Sequence, residues 1–339
     1  ALNDPLSKFI PAFREMKVLQ RGSPGTEPSI VPARRQITVR DLLTHRSGLT
    51  YGFLETAQVG AAYRDGGVND GLTVVEFPLD QNMERLAKAP LVSQPGAEWH
   101  YSLSTDVLGR VIEVASGLPL DRFFQERIFT PLGMNETSFI LPEDKAARFA
   151  DVYGWDKTKN MLVVQPPAPL TRYDAANELE SGGGGLVSTL HDYVRFTQML
   201  LNKGTLAGNT IVKPETIELM AQNHINDLGI YSDGTAANPG RPGQKFGLDF
   251  AVYTDPEAGQ NPFGKGTFYW SGIAGTIFWV DPVNNVGFVG MVQSFGGRRP
   301  EAMDFRAETG RLLYAALKPA AAAPAAAPAE KAKELEPAH

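Results

Sequence analysis

The sequence contains no cysteine, which excludes disulfides, thiolate metal sites and cysteine nucleophiles. No apolar run approaches the roughly 20 residues that a membrane-spanning helix needs. Lysine and arginine form no basic run and the net charge is −6, which argues against nucleic acid as a partner. The five histidines are scattered with no acidic partner at ligand spacing, so we predict no metal or other cofactor. What remains is ordinary globular composition, which leaves the cellular compartment open.

One change in composition predicts the domain organisation. Residues 318–339 consist of alanine runs interrupted by Pro324 and Pro328, followed by a short charged stretch. Because this segment has almost no large apolar side chain to bury, we predict that 318–339 is a disordered Ala/Pro-rich tail outside the core. We predict that residues 1–317 form one compact domain, since that length supports a sizeable core.

Periodicity predicts helices in the first two thirds of this domain. Apolar residues recur at spacings of three and four over 102–116, which is typical of a buried helix, and Gly117 is placed to end it. Thr38 is placed to cap another helix, and His45 is interpreted as a buried, hydrogen-bonded residue of a turn. Further helices are predicted at 121–128, 190–203 and 214–222, and a last helix at 305–317 closes the domain.

The last third has the composition of strands. Segments 268–270, 276–280 and 286–292 are rich in aromatic and β-branched residues, and a turn at 281–285 separates the last two. Neighbouring strands with short links predict an antiparallel sheet. The overall expectation is therefore an α+β fold.

Five short motifs carry a resemblance to a known family. They are Leu42–Leu49, Tyr101-Ser102-Leu103, Pro131-Leu132-Gly133-Met134 with Thr137 and Phe139, Gly182–Thr189, and Trp270-Ser271-Gly272. In this order they resemble the serine hydrolases related to class C β-lactamases and penicillin-binding proteins, most nearly the family VIII carboxylesterase branch. The resemblance implies a β-lactamase/transpeptidase-like fold, with an antiparallel sheet flanked by helices and a mostly helical region.

The family's nucleophile motif, Ser-x-x-Lys, is absent, because no serine in the sequence is followed three residues later by lysine. The opening residues Ala1–Pro11 resemble the family segment that follows the nucleophile helix. We therefore expect the domain to be N-terminally incomplete, with its nucleophile upstream of Ala1, and this chain alone to be inactive. Ser102, Ser104 and Ser271 are expected to point away from a shared point of attack.

The resemblance assigns Tyr101 as the catalytic base of acyl transfer. A phenol has an ordinary pKa near ~10, so it is a poor base unless neighbours lower that value. The family's Ser-x-x-Lys lysine is thought to do so, and the entrance of the predicted helix at 102–116 would favour phenolate as well. We expect Tyr101 and Trp270 to meet in one cleft, which has an under-filled apolar side.

The Trp270 motif is expected to form the substrate edge of this cleft. Gly272 would let a substrate approach the strand closely, and the backbone N–H of Ile273 is the oxyanion donor that the resemblance implies, with Ser271 beside it. Many members have lysine where Trp270 stands and asparagine where Leu103 stands. Both departures favour an apolar ester over a carboxylate-bearing amide or lactam. Leu103 and His100 are predicted to line the substrate pocket.

Three functions remain open at this point. The first is a carboxylesterase that cleaves small acyl esters through an acyl-enzyme. The second is a β-lactamase or D-amino-acid peptidase of the same superfamily, for which the small-molecule partner would be a lactam or peptide. The third is a non-catalytic binding module on the same scaffold. Oligomeric state does not follow from the sequence.

Overall fold

The computed structural model describes residues 1–20, 27–55, 58–165, 173, 177–231, 240–295 and 304–317. The chain divides into two compact units, Ala1–Ala302 and Met303–His339. In the second unit the described part is one helix, which begins at Phe305 and ends at Leu317 as the sequence predicts. The predicted tail at 318–339 lies outside the described residues. The assignment of 1–317 to a single domain stays a prediction.

The first unit begins with two short 3₁₀ turns, Leu6–Lys8 and Pro11–Phe13, and a third lies at Glu143–Arg148. Its α-helices are α1 (Val39–Leu43), α2 (Gln58–Asp65), α3 (Leu79–Leu86), α4 (Ser104–Ser116), α5 (Leu120–Phe124), α6 (Thr130–Leu132), α7 (Leu190–Leu201) and α8 (Pro214–Met220). A π-helical turn, Gln125–Phe129, joins α5 to α6. The helix predicted at 121–128 is therefore an α-helix only in its first half.

Local sequence explains where α1 and α4 begin and end. The Asp41 N–H donates to Thr38 Oγ1 over 3.2 Å, and the Thr38 N–H donates back to the Asp41 carboxylate over 2.8 Å. This capping box satisfies two N–H groups that the helix itself leaves without acceptors. At the end of α4, Gly117 has a φ of 73°, a left-handed conformation that side chains disfavour. The predicted roles of Thr38 and Gly117 are confirmed.

Within the described ranges the main sheet is antiparallel and consists of β7 (Gln244–Phe246), β8 (Ala251–Tyr253), β9 (Phe268–Ser271), β10 (Ile277–Asp281) and β11 (Val286–Gly290). Their spatial order is β11-β10-β9-β8-β7. Smaller hairpins are formed by β1 (Lys17–Gln20) with β2 (Ser29–Pro32), β3 (Tyr153–Asp156) with β4 (Met161–Val164), and β5 (Thr205–Leu206) with β6 (Asn209–Thr210). The α+β prediction with an antiparallel sheet is confirmed.

Two apolar cores hold the first unit together. The helical core gathers side chains from the opening turns and from α1, α3 and α4. The second core lies between the sheet and α7, and it includes Phe268, Phe278 and Val280. Burial of such side chains is the dominant favourable contribution to folding. Tyr101 packs on the helical core and Trp270 on the sheet core, so the two cores present the two motifs to each other.

Candidate active site

Tyr101 and Trp270 come together as expected. Tyr101 lies in the loop that leads into α4, and Trp270 lies near the end of β9. Their ring centroids are 5.3 Å apart with an interplanar angle of 52°. This tilted arrangement is within the range that favours aromatic pairs. The prediction that the two motifs share one location is confirmed, while the catalytic roles assigned to them stay predictions.

Aromatic rings from several segments surround this pair. The ring centroid of Tyr101 is 5.1 Å from that of His45 and 5.0 Å from that of Tyr51. The ring centroids of Trp270 and Phe246 are 5.5 Å apart. The Trp270 ring is within 5° of parallel to the Tyr231 ring, and these two centroids are 6.4 Å apart. Packing on so many sides restricts the rotamers of both motif residues, so their relative position is held by the fold.

The electrostatics of Tyr101 differ from the expectation. Burial raises the pKa of its phenol, and this effect outweighs the polar interactions with Trp270 and Tyr51 that lower the pKa. The carboxylates of Asp106 and Asp249 raise the pKa further. The predicted lowering by the entrance of α4 is therefore wrong for this chain, because desolvation and like charge dominate over the helix terminus. Tyr101 is protonated at neutral pH.

The strand end after Trp270 has the form of an accessible edge. Ser271, Gly272 and Ile273 are all exposed, and the Ile273 side chain retains 53% of its accessible surface. A β-turn follows, in which the Gly275 N–H donates to the Gly272 carbonyl over 3.0 Å. Among the described residues the Ile273 N–H donates to no acceptor. This group is therefore available to a substrate oxygen, as the oxyanion assignment requires.

Gly272 permits this turn because it has no side chain. A Cβ placed on it would lie 2.2 Å from Thr276 Oγ1, closer than real Cβ contacts allow. The Gly272 N–H also donates to the Thr276 carbonyl over 2.7 Å, which fixes the turn to the next strand. Any larger residue would therefore require at least the Thr276 side chain to move.

The three serines nearest the motifs are not arranged as nucleophiles. Ser102 and Ser104 are completely buried, and their hydroxyl oxygens are 2.8 Å apart. Ser104 also bonds Ser47 over 2.8 Å, and Ser102 Oγ lies 3.2 Å from His45 Nδ1. Ser271 is exposed, but its hydroxyl makes no hydrogen bond to any described residue that could take its proton. None of the three has both exposure and a base.

His45 has the structural role that was predicted for it. It is 2% exposed in a turn with a φ of 52°. Burial lowers its pKa to about 3, so the ring is neutral at physiological pH. Its backbone carbonyl accepts from the His100 N–H over 2.8 Å, which ties the turn to the segment before Tyr101. His45 therefore positions the Tyr101 loop through both its ring and its backbone.

Two of the predicted pocket residues occupy other positions. Leu103 is completely buried within the helical core, which leaves no surface through which it could contact a substrate. The reason is that α4 begins at Ser104, so Leu103 is its N-cap residue and points inward. His100 Nε2 lies 3.0 Å from Glu98 Oε2, and its side chain is 21% exposed. Its ring is engaged with Glu98 at the surface, and it is not among the residues that line the cavity described next.

A cavity of about 440 Å³ lies beside β9, and its position was not predicted from the sequence. Trp270, Ser271 and Gly272 line it, and most of the other lining residues are aromatic or aliphatic. Its principal apolar lining residues are Phe124, Ile128, Phe129, Tyr193, Phe196, Phe278 and Val289. These residues come from α5, the π-helical turn, α7 and the sheet, so only the folded chain brings them together. Tyr101 is not among the lining residues, so the expected under-filled side of the cleft, at the place of the missing nucleophile helix, stays a prediction.

We expect that filling this cavity stabilises the protein. Val289 lines it and pairs with Phe278 across β10 and β11. Val289→Phe adds a ring to empty apolar space, and it should raise the free energy of unfolding by about 1 kcal/mol in urea titrations. The control is Val283→Phe, the same change at a turn residue that is 71% exposed, which should alter stability by less than about 0.5 kcal/mol. Destabilisation by Val289→Phe alone would show that the space is already filled.

Comparison with known proteins adds the family to this geometry. Residues 1–311 match the family model described as Beta-lactamase. Esterase EstB of Burkholderia gladioli is 34% identical over 295 residues, which cover 83% of this chain and 68% of EstB. Protein Rv1367c of Mycobacterium tuberculosis is 36% identical over 286 residues, with the same two coverages of 83% and 68%.

Solved structures show the same fold. EstCE1, described as a hydrolase with promiscuous acyltransferase activity, superimposes with a TM-score of 0.72 at 28% identity, covering 93% of this chain and 78% of EstCE1. Simvastatin synthase (LovD) from Aspergillus terreus gives a TM-score of 0.70 at 26% identity, covering 93% of this chain and 77% of LovD. The chain therefore belongs to the beta-lactamase family of serine hydrolases, in the branch that includes esterases and LovD-like acyltransferases.

Proposed function

We propose that this protein contributes the base, the substrate edge and one oxyanion donor of a carboxylesterase that acts on small, apolar acyl esters. The observation that supports the proposal is the packing of Tyr101 against Trp270, whose ring centroids are 5.3 Å apart beside an exposed strand end. Related proteins that bear the names esterase EstB and lovastatin esterase support an ester as substrate. The lovastatin esterase of Penicillium rubens is 30% identical over 313 residues.

The reaction would proceed through an acyl-enzyme. A serine hydroxyl attacks the ester carbonyl while its proton passes towards Tyr101, and the carbonyl oxygen becomes an oxyanion that the Ile273 N–H stabilises. Collapse of this intermediate expels the alcohol, which takes the proton back. Water or another alcohol then attacks the acyl-serine with Tyr101 again as the base. Because the pKa of Tyr101 is raised, it needs a cation near its oxygen to work, and the Ser-x-x-Lys lysine would supply one.

An ester fits this site better than a β-lactam because of charge. Members that act on carboxylate-bearing substrates often have a lysine where Trp270 stands, and a neutral indole cannot form that ion pair. Trp270, Ser271 and Gly272 border the apolar cavity instead. The acyl group of a small ester therefore meets a neutral, partly aromatic wall at the strand edge.

The nucleophile is the part that this chain does not contain. No Ser-x-x-Lys occurs in the sequence, and Ser102, Ser104 and Ser271 lack either exposure or a base. The same observation favours a second candidate function, a non-catalytic binding module that uses the apolar cavity.

Labelling of the chain by a fluorophosphonate tests this absence. A fluorophosphonate modifies an activated serine stoichiometrically, so intact mass spectrometry after incubation should show unmodified protein as the main species. The positive control is a Ser-x-x-Lys esterase of the same family, treated in parallel. Stoichiometric addition to this chain, followed by location of the modified serine by peptide mapping, would show that the nucleophile lies within it.

A further inference from the structure

A row of mostly buried polar side chains adjoins the Tyr101 loop and connects the sheet to the start of α4. Its members, in spatial order, are Asp249, His45, Ser102, Ser104 and Ser47. We infer that Asp249 is a positioning residue for Tyr101, which it holds in place by fixing the tautomer of His45 and the direction of the serine hydrogen bonds. The importance of this row for catalysis rests on the role proposed for Tyr101, whereas its geometry does not.

Three serine hydroxyls form the inner part of the row. Ser47 Oγ lies 2.8 Å from Ser104 Oγ, which lies 2.8 Å from Ser102 Oγ. Ser102 Oγ lies 3.2 Å from His45 Nδ1, and all four side chains are at most 2% exposed. Two backbone groups also donate to the row, the Leu49 N–H to Ser47 Oγ over 3.1 Å and the Ser104 N–H to Ser102 Oγ over 3.3 Å. The hydroxyls have no further partner among the described residues, so their protons are shared within the row.

Proton counting gives the direction of these bonds. The row has three contacts, and its three hydroxyls supply one proton each. In one arrangement Ser47 donates to Ser104 and Ser104 donates to Ser102. Ser102 then donates to His45 Nδ1, so every contact holds one proton and none is left over.

The opposite direction leaves a buried donor unsatisfied. If His45 Nδ1 carried the proton and donated to Ser102, the Ser47 proton would have no acceptor among the described residues. A buried donor without an acceptor is costly, so the first direction is favoured. Nδ1 is then an acceptor, and the single proton of the neutral ring is on Nε2.

Asp249 is placed to favour the same tautomer. Its Oδ1 lies 4.0 Å from His45 Nε2, and its carboxylate accepts no hydrogen bond from the described residues. An N–H at Nε2 faces this negative charge favourably, whereas a lone pair there would be repelled. Burial lowers the pKa of His45 to about 3 and raises that of Asp249 to about 7. At pH 8.5 the ring is therefore neutral and the carboxylate ionised.

The backbone holds this pair across the boundary between sheet and helices. Asp249 lies in the turn between β7 and β8 with a φ of 62°, and its N–H donates to the Leu43 carbonyl at the end of α1 over 2.8 Å. His45 has a φ of 52°, and its ring centroid is 5.1 Å from that of Tyr101. Positive φ is uncommon outside glycine and persists where the surrounding structure holds it. The pair therefore links the sheet, which carries Trp270, to the loop that carries Tyr101.

¹⁵N NMR of histidine-labelled protein at pH 8.5 measures the tautomer directly, because proton-bearing and bare ring nitrogens have well-separated shifts. The signals of His45 are identified by their loss in His45→Gln. We expect Nε2–H as the main form in the unaltered chain. Asp249→Asn offers an amide that can donate to Nε2, so the ratio of Nε2–H to Nδ1–H should fall by about tenfold, the effect of one ordinary hydrogen bond. Nδ1–H as the main form in the unaltered chain, or an unchanged ratio in Asp249→Asn, would overturn the inference.

A second probe reports the position of Tyr101. The ¹⁹F shift of 3-fluorotyrosine at position 101 depends on the Trp270 ring, whose centroid is 5.3 Å away. Asp249→Asn and Ser102→Ala should both displace this resonance, because each breaks the row at a different contact. An altered tautomer with an unmoved resonance in Asp249→Asn would show that Asp249 holds His45 without positioning Tyr101.

Ser93→Ala is the matched control for both measurements. Ser93 is 5% exposed, and its hydroxyl has no hydrogen-bond partner among the described residues, so its loss breaks no row. The control should leave the tautomer ratio within about twofold and the ¹⁹F shift unchanged. A control that moves both as far as Asp249→Asn would assign the effect to general loosening of the core and refute the role of Asp249. Neither measurement needs turnover, so the result stands apart from any failure of the proposed esterase activity.

Discussion

Tyr101→Phe should lower kcat by roughly 10²–10⁴-fold in a protein in which this chain is joined to a Ser-x-x-Lys segment from an esterase relative. Phenylalanine keeps the ring contact with Trp270 but removes the one oxygen that could accept the serine proton. The measurement is steady-state hydrolysis of a short-chain aryl ester. The matched control is Tyr193→Phe, which removes a hydroxyl beside the cavity and should keep kcat within about threefold.

Kinetic measurements on the joined protein also distinguish the carboxylesterase hypothesis from the β-lactamase hypothesis. Because Trp270 carries no charge, turnover of the aryl ester should exceed turnover of a cephalosporin. Faster cleavage of the cephalosporin would favour the β-lactamase alternative. A Tyr101→Phe variant that keeps more than a tenth of the ester rate would mean that another group takes the proton. Absence of any turnover, with the serine present and the protein folded, would favour the binding module.

Leu103→Asn should destabilise the folded protein by about 3–5 kcal/mol in urea unfolding. Leu103 is completely buried, so the change removes apolar contacts and buries an amide without partners. The control is Leu103→Met, which keeps apolar character and volume and should cost less than about 1.5 kcal/mol. If Leu103 lined the substrate cleft, asparagine would be solvated there. A loss below about 1 kcal/mol for Leu103→Asn would therefore restore the position predicted from the sequence.

The sequence predicted those parts of the fold that depend on neighbouring residues. The cap at Thr38, the end of α4 at Gly117 and the strands β9, β10 and β11 all follow from local patterns of spacing and composition. The meeting of Tyr101 and Trp270 followed from the family resemblance rather than from any local pattern. No periodicity relates two residues so far apart in the chain.

The errors concern properties that arise from distant contacts. Leu103 was expected in the pocket because of its place in the Tyr101 motif. The motif does not show the core that encloses Leu103, where the Leu103 N–H donates to the Thr50 carbonyl over 3.3 Å. The pKa of Tyr101 was expected to fall because α4 follows it, yet burial among rings from separate segments raises it. The cavity could not be predicted for the same reason, since its lining residues come from separate elements of the chain.

The indole of Trp270 has a consequence for how substrates arrive. Its ring packs against that of Tyr101, but unlike a lysine it carries no net charge. A lysine at a cleft attracts anions from a distance and makes association sensitive to ionic strength. Encounter with a neutral ester at this edge is instead governed by diffusion and by release of water from apolar surface. The site should therefore select substrates at short range, by shape and polarity. We expect the rate of substrate association to depend little on ionic strength.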